Sequence, residues 1–68
     1  MSLAFEITEE DIQNVLTRNK AEGNPNAILD LLDMAAIEKA ALYGDDIDDQ
    51  TEYAYQEIEK QLHENGVL

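Results

Sequence analysis

The residues with the clearest potential for chemistry form an acidic run at positions 45–49, with the sequence Asp-Asp-Ile-Asp-Asp. Counted from Asp46, oxygen-bearing side chains occupy the first, third, fifth and twelfth positions of a segment, as in the calcium loop of an EF-hand. Those side chains are Asp46, Asp48, Gln50 and Glu57. The sixth position is Thr51, where the calcium loop needs glycine for its sharp turn. We therefore expect these carboxylates to cap a helix, and we predict no metal site.

Other patterns that could support catalysis have simpler explanations. His63 is the only histidine, and no nucleophile accompanies it, so we predict a surface residue near a helix end. Asp30 and Asp33 are one helical turn apart, but on a mostly apolar helix we interpret them as its solvated edge. No glycine-rich phosphate loop is present, because each glycine stands at a predicted helix end: Gly23, Gly44 and Gly66. We predict no catalytic residue and no cofactor.

The charge balance limits the kinds of partner. The chain has 16 acidic and 4 basic residues, giving a net charge of −12. Direct binding of nucleic acid through its phosphates, or of an anionic membrane surface, is excluded by this balance. A strongly acidic surface instead favours a basic protein as a partner.

The length predicts one domain over residues 1–68, close to the lower limit for a stable hydrophobic core. Residues 1–3 match a vector-derived start, which places the natural start near Ala4. The chain has no cysteine, no secretory signal and no apolar run long enough to span a bilayer. These features predict a cytoplasmic location.

Apolar spacing predicts an all-α fold, a small three-helix bundle with helices at about 9–22, 25–43 and 46–64. The first helix has a clear start: Thr8 as N-cap, Asp11 to complete a capping box, and Ile7 and Ile12 as a hydrophobic staple. Gly23 is the predicted stop. The third helix places one apolar face against the others, and its members are Ile47, Thr51, Ala54, Tyr55, Ile58 and Leu62.

The second predicted helix is the centre of this arrangement. Asn24 caps it, Pro25 opens it, and apolar side chains leave it on most sides. Two neighbours cannot cover so many faces, so we expect the surplus to meet a second copy of the chain. Tyrosine is enriched at interfaces, and two tyrosines lie beside this surface. The predicted interface residues are Met34, Ile37, Ala41, Tyr43 and Tyr53.

Three segments resemble a set of short bacterial proteins of uncharacterised function. They are residues 5–11, residues 40–46 with Gln50 and Thr51, and residues 54–62, and they are distributed along most of the length of the chain. The resemblance implies a bacterial or phage-borne origin, and it brings no activity or site residue with it.

The function predicted from the sequence is a non-enzymatic, acidic, helical module for protein–protein interaction. We expect it to be homodimeric and to dock on or regulate a partner protein. The alternative is a nucleic-acid mimic that inhibits a basic DNA-binding protein, because carboxylates on a rigid helix can imitate phosphates. The carboxylates of that row are Asp45, Asp46, Asp48, Asp49, Glu52, Glu57, Glu59 and Glu64.

Overall fold

The computed structural model describes residues 6–68, and this part of the chain contains only helices and their connections. The elements are α1 (Glu9–Arg18), α2 (Pro25–Leu31), α3 (Met34–Ala41) and α4 (Ile47–Glu64). The predicted all-α class is confirmed, but the described chain has four helices where three were expected. The expected vector-derived start at residues 1–3 and the resemblance at Phe5 lie outside the described residues. None of the described helices is both long and apolar enough to cross a membrane.

Helix α1 begins as its sequence predicts. The Asp11 carboxylate accepts hydrogen bonds from the Thr8 backbone N–H at 2.8 Å and from the Thr8 hydroxyl at 3.3 Å. Ile7 and Ile12, the two residues of the predicted staple, are both buried. Local side-chain chemistry is therefore enough to place this helix start.

The end of α1 comes at Arg18, four residues before the predicted end at 22. Lys20 takes a left-handed backbone conformation, with φ of 54°. The Lys20 N–H donates to the Thr17 carbonyl at 3.1 Å, and the Ala21 N–H donates to the Leu16 carbonyl at 2.9 Å. This is the hydrogen-bond pattern of a Schellman motif. The left-handed residue that terminates the helix is therefore Lys20 and not the predicted Gly23.

The prediction of one continuous helix at 25–43 is wrong, because two helices occupy this range. Leu32, with ψ of 146°, and Asp33, with ψ of 94°, leave the helical conformation and divide it into α2 and α3. The Asp33 carboxylate then accepts a hydrogen bond from the Ala36 N–H at 3.2 Å and caps α3. An aspartate is a favoured N-cap residue, and the two helices separated by the break have different main neighbours, α1 for α2 and α4 for α3.

All four helices contribute to a single core. Helix α1 packs against α2 and α4, and α3 packs along α4. The stripe predicted on α1 is fully buried, and α4 buries the central and C-terminal part of its predicted stripe. The buried apolar residues are Ile7, Ile12, Val15, Leu16, Ile28, Ile37, Ala41, Ala54, Ile58 and Leu62. Val67 and Leu68 also pack against this core.

Candidate interaction surface

The structure separates the five predicted interface residues into two groups. Ile37 and Ala41 have no exposed surface because they lie in the core of the chain itself, and Met34 is partly buried against that core. Tyr43 and Tyr53 are exposed, at 75% and 42%. Their rings contact each other, with centroids 6.5 Å apart. The part of the predicted surface that is open to a partner is therefore the tyrosine pair.

This pair lies at the tight corner where α3 turns into α4. The Gly44 N–H donates to the Ala41 carbonyl at 2.9 Å. A Cβ atom at Gly44 would overlap the backbone of Gln50, so only glycine allows the chain to approach α4 this closely. The Asp46 carboxylate accepts from the Asp49 N–H at 2.9 Å and caps α4. The predicted role of the acidic run as a helix cap is confirmed at Asp46.

Four large apolar side chains remain exposed at this corner, and we call them the corner patch: Leu42, Tyr43, Ile47 and Tyr53. Ile47 lies seven residues before Ala54, on the side of α4 that faces the core, yet it is 51% exposed. The core-facing stripe of α4 therefore extends beyond the elements that cover it. Sequence spacing alone assigned Ile47 to the core, because spacing gives the face of a helix but not how far its neighbours reach.

Gln50 lies between Ile47 and Tyr53 on the surface of α4, three residues from each. Its side-chain oxygen Oε1 is buried, and no protein donor within residues 6–68 reaches it. A buried acceptor without a donor costs about 1–3 kcal/mol. Hydrogen bonding is therefore less complete at Gln50 than at the neighbouring cap residue Asp46.

The segment that carries the corner patch is rich in carboxylates, and the nearest cation before it in the sequence is Lys39, in the last turn of α3. Residues 40–59 contain seven carboxylates and no lysine, arginine or histidine. Four of these carboxylates are exposed next to the patch: Asp45, Asp46, Asp48 and Asp49. The described part of the chain brings no basic side chain within ion-pair distance of any of the four.

The other carboxylates of α4 are less free, because Arg18 binds two of them. Its guanidinium donates to Glu52 at 2.9 and 3.1 Å and to Glu59 at 2.8 and 2.9 Å, and so joins α1 to α4. Charge-assisted hydrogen bonds from Arg18 hold the pKa of both glutamates below their usual range. Asn19 adds a further hydrogen bond to Glu59 at 2.7 Å. Two members of the predicted phosphate-like row are therefore engaged within the molecule.

Tyr55 completes this contact between α1 and α4. Its hydroxyl donates to the Asp11 carboxylate at 2.6 Å and accepts from the Asn14 amide at 3.3 Å. The Arg18 guanidinium lies 5.4 Å from the centre of the Tyr55 ring. Burial, followed by the hydrogen bond to Asp11, raises the pKa of Tyr55. These contacts were not predicted, because they join residues about forty positions apart in the sequence.

A second polar contact holds the junction between α2 and α3. Gln61, which is only 7% exposed, accepts from the Asp33 N–H at 2.8 Å and donates to the Asp33 carbonyl at 3.2 Å. It also donates to the Glu57 carboxylate at 3.1 Å. Since both polar atoms of the Gln61 side chain are hydrogen-bonded within the chain, its burial has a structural explanation. The sequence offered a signal here, because Gln61 is a polar residue beside Leu62 on a buried face.

The residues considered for catalysis belong to three different elements. His63 is exposed in the last turn of α4, Asp30 is exposed on α2, and Asp33 serves as the cap of α3. The proposed calcium loop would need an irregular backbone from Asp46 onward, whereas α4 is helical from Ile47. Within residues 6–68, no group of three histidine or acidic side chains is arranged to hold a metal ion.

No protein-family model matches the chain, and comparisons with curated proteins and with solved structures found no match either.

Proposed function

We propose that the protein is a cytoplasmic, non-enzymatic interaction module that docks on a partner protein through the corner patch. The observation that carries this proposal is the exposure of Tyr43 (75%), Ile47 (51%) and Tyr53 (42%) on the turn from α3 into α4 and the first turns of α4, where the two tyrosine rings are in contact. Single exposed apolar residues are ordinary, but neighbouring ones mark interaction sites more often. Tyrosine favours such sites because it offers a large apolar area together with a polar hydroxyl.

The chemistry of the corner patch supports binding over catalysis. Its side chains supply contact area, whereas a reaction would need a nucleophile or a general base held near a substrate. The turn that carries the patch is tightly packed at Gly44 and capped at Asp46, so the side chains are presented from a defined backbone. Preorganised contact residues bind at a lower entropic cost than flexible ones.

The nucleic-acid mimic lacks a comparable observation. Its row of carboxylates on α4 is interrupted because Glu52 and Glu59 both bind Arg18. The homodimer is not part of our proposal either. It was predicted from an unbroken second helix with surplus apolar faces, and that helix is divided at Leu32 and Asp33. Ile37 and Ala41, which were to contact the second copy, are used by the chain's own core.

The proposal is tested by affinity capture from a native lysate of the organism whose genome encodes the chain. The test variant is Tyr43→Ser with Ile47→Ser, which removes apolar area from exposed positions. The matched control is Leu31→Ser, since Leu31 is 57% exposed on α2, outside the corner patch. Circular dichroism melting checks that both variants fold.

We expect the wild-type chain to enrich a partner that the double variant captures about tenfold less, while the Leu31 variant captures it normally. Quantitative mass spectrometry measures the enrichment. Equal capture by the wild type and the double variant would refute the corner patch as the binding surface, and so would capture of nothing beyond the bare resin.

A further inference from the structure

We propose that the corner patch binds a short cationic amphipathic segment of the partner protein. In this complex, large apolar side chains of the segment cover Tyr43, Ile47 and Tyr53. Lysine or arginine residues beside them face the carboxylates of residues 45–49. This inference rests on the proposed function and names the chemistry of the occupant.

Charge complementarity is the first argument. The corner patch is bordered by Asp45, Asp46, Asp48 and Asp49, which are exposed and have no cationic partner in the described chain. A neutral or acidic segment that covered the patch would bring further desolvation or repulsion to these carboxylates. A segment that carries basic residues instead replaces water with an opposite charge at each edge of the patch.

The size of the corner patch is the second argument. It offers four side chains, whereas a stable interface between two folded proteins uses roughly 20–30 residues on each side. A second copy of this chain would also bring a further net charge of −12 to a surface that is already acidic. A short peptide segment needs much less area, and its affinity can come from a few anchor residues.

The experiment uses three synthetic peptides of about 16 residues, which is enough for roughly four helical turns. The first peptide has leucine on one face of a helix and lysine on the other. The second peptide has serine in place of each leucine, and the third has glutamate in place of each lysine. Fluorescence anisotropy measures the binding of each peptide to the wild-type chain at about 50 and about 500 mM NaCl. Amide chemical shifts locate the bound peptide on the molecule.

We expect the leucine–lysine peptide to bind and to shift the amides of Tyr43, Ile47 and Tyr53. The serine–lysine and leucine–glutamate peptides should bind at least about tenfold more weakly, because each lacks one half of the required chemistry. The higher salt concentration should lower the affinity of the leucine–lysine peptide about tenfold.

Two pairs of variants separate the apolar and the acidic contributions. The double variant Tyr43→Ser with Ile47→Ser should bind the leucine–lysine peptide about tenfold more weakly at both salt concentrations. The control Leu31→Ser should bind it as the wild type does. The double variant Asp45→Asn with Asp48→Asn should bind the peptide about tenfold more weakly than the wild type at low salt only, because at high salt the charges are screened in both proteins. The control for the second pair is Asp30→Asn, an exposed aspartate on α2.

Several results would overturn the inference. Equal binding of the serine–lysine peptide would show attraction by charge alone, and equal binding of the leucine–glutamate peptide would show an apolar contact alone. A wild-type dimer in sedimentation that the Tyr43 and Ile47 substitutions abolish would assign the patch to a second copy. If lysate capture depends on the corner patch but the leucine–lysine peptide does not bind, the proposed function stands and the cationic segment is wrong.

Discussion

At the scale of single residues, Lys20 and Gly66 provide a comparison within one molecule. Both follow a helix and occupy the left-handed position of the same motif, with φ of 54° and 77°. After α4 the Val67 N–H donates to the Leu62 carbonyl at 2.8 Å, as the Ala21 N–H donates to the Leu16 carbonyl after α1. The two stops differ in that Gly66 pays no steric cost in this conformation, whereas Lys20 does.

Replacing Lys20 with glycine should therefore stabilise the protein. The substitution relieves the steric cost of the left-handed conformation, although it adds entropy to the unfolded chain, so we expect a net gain of about 0.5–1 kcal/mol. Urea denaturation followed by circular dichroism measures the change in the free energy of unfolding.

The matched control is Lys20→Ala, which removes the charge but keeps a Cβ atom. It should bring no gain, while Gly66→Ala should cost about 1 kcal/mol. An alanine variant as stable as the glycine variant would mean that the charge of Lys20, and not its backbone, is unfavourable.

Residue chemistry was the most predictable level of this molecule. The caps at Thr8 and Asn24 were identified from residue type and position, and the cap of α4 was expected within the acidic run 45–49, where Asp46 supplies it. Asp33 was missed as a cap because it stands inside an apolar pattern that continues on both sides. The stop at Lys20 was missed because sequence rules assign this position to glycine.

At the scale of elements, Arg18 is the main polar connection between α1 and α4. Its hydrogen bonds lower the pKa of Glu52 and Glu59 in the folded state. A lowered folded pKa contributes stability above the unfolded value of about 4.3, and the contribution is lost as the pH falls through the folded values. The side chains of Arg18 and Glu52 are 36% and 52% exposed, so solvent screens this contribution strongly.

We expect Arg18→Met, which keeps the length of the side chain, to cost about 1 kcal/mol at pH 7. The difference in melting temperature between the wild type and the variant should close as the pH falls below about 4.3. Thermal melting of both proteins at a series of pH values measures it, and Lys39→Met serves as a control for the loss of one exposed charge. A difference that stays constant down to pH 2 would mean that Arg18 acts through apolar packing.

The division of the second helix shows where sequence reasoning about elements reaches its limit. The spacing of apolar residues gave the right helical state for most of residues 25–41, yet it gave no position for the break. The break depends on Gln61, which satisfies the backbone of Asp33 from twenty-eight residues away. A contact of that range becomes visible only when the packing of α4 is known.

At the scale of the whole molecule, the charges act on a very small body. The described part of the chain measures 30 × 20 × 17 Å, and the full sequence carries a net charge of −12. At about 0.01 M salt the screening length is about 30 Å, so all charges interact, whereas at about 0.1 M it falls to about 10 Å. Repulsion among the carboxylates therefore opposes the compact state most strongly at low salt.

Raising the NaCl concentration from about 10 mM to about 300 mM should increase the melting temperature. Relief of repulsion worth about 1 kcal/mol would appear as a rise of about 4–8 °C for a domain of this size. Sodium chloride is preferable to sulfate, which also strengthens apolar burial. A melting temperature that falls with salt would show that the Arg18 ion pairs outweigh the repulsion.

The candidate surface could be predicted only in part. Tyr43 and Tyr53 were selected because tyrosines off a core stripe are typical of contacts, and both are exposed. Ile37 and Ala41 were selected from the second helix as a straight rod, and both are buried in the core of the chain. Ile47 was assigned to the core, since nothing in the sequence shows that its neighbours end before they cover it.

The contact between Gln61 and Asp33 has a consequence for how the molecule opens. The amide hydrogen of Asp33 is held by a side chain of α4 and not by the backbone of its own helix. It can exchange with deuterium once the Gln61 side chain releases it, whereas the neighbouring helical amides exchange when their own helices fray. Deuterium exchange at Asp33 would therefore report the loosening of the contact between Gln61 and the junction of α2 and α3.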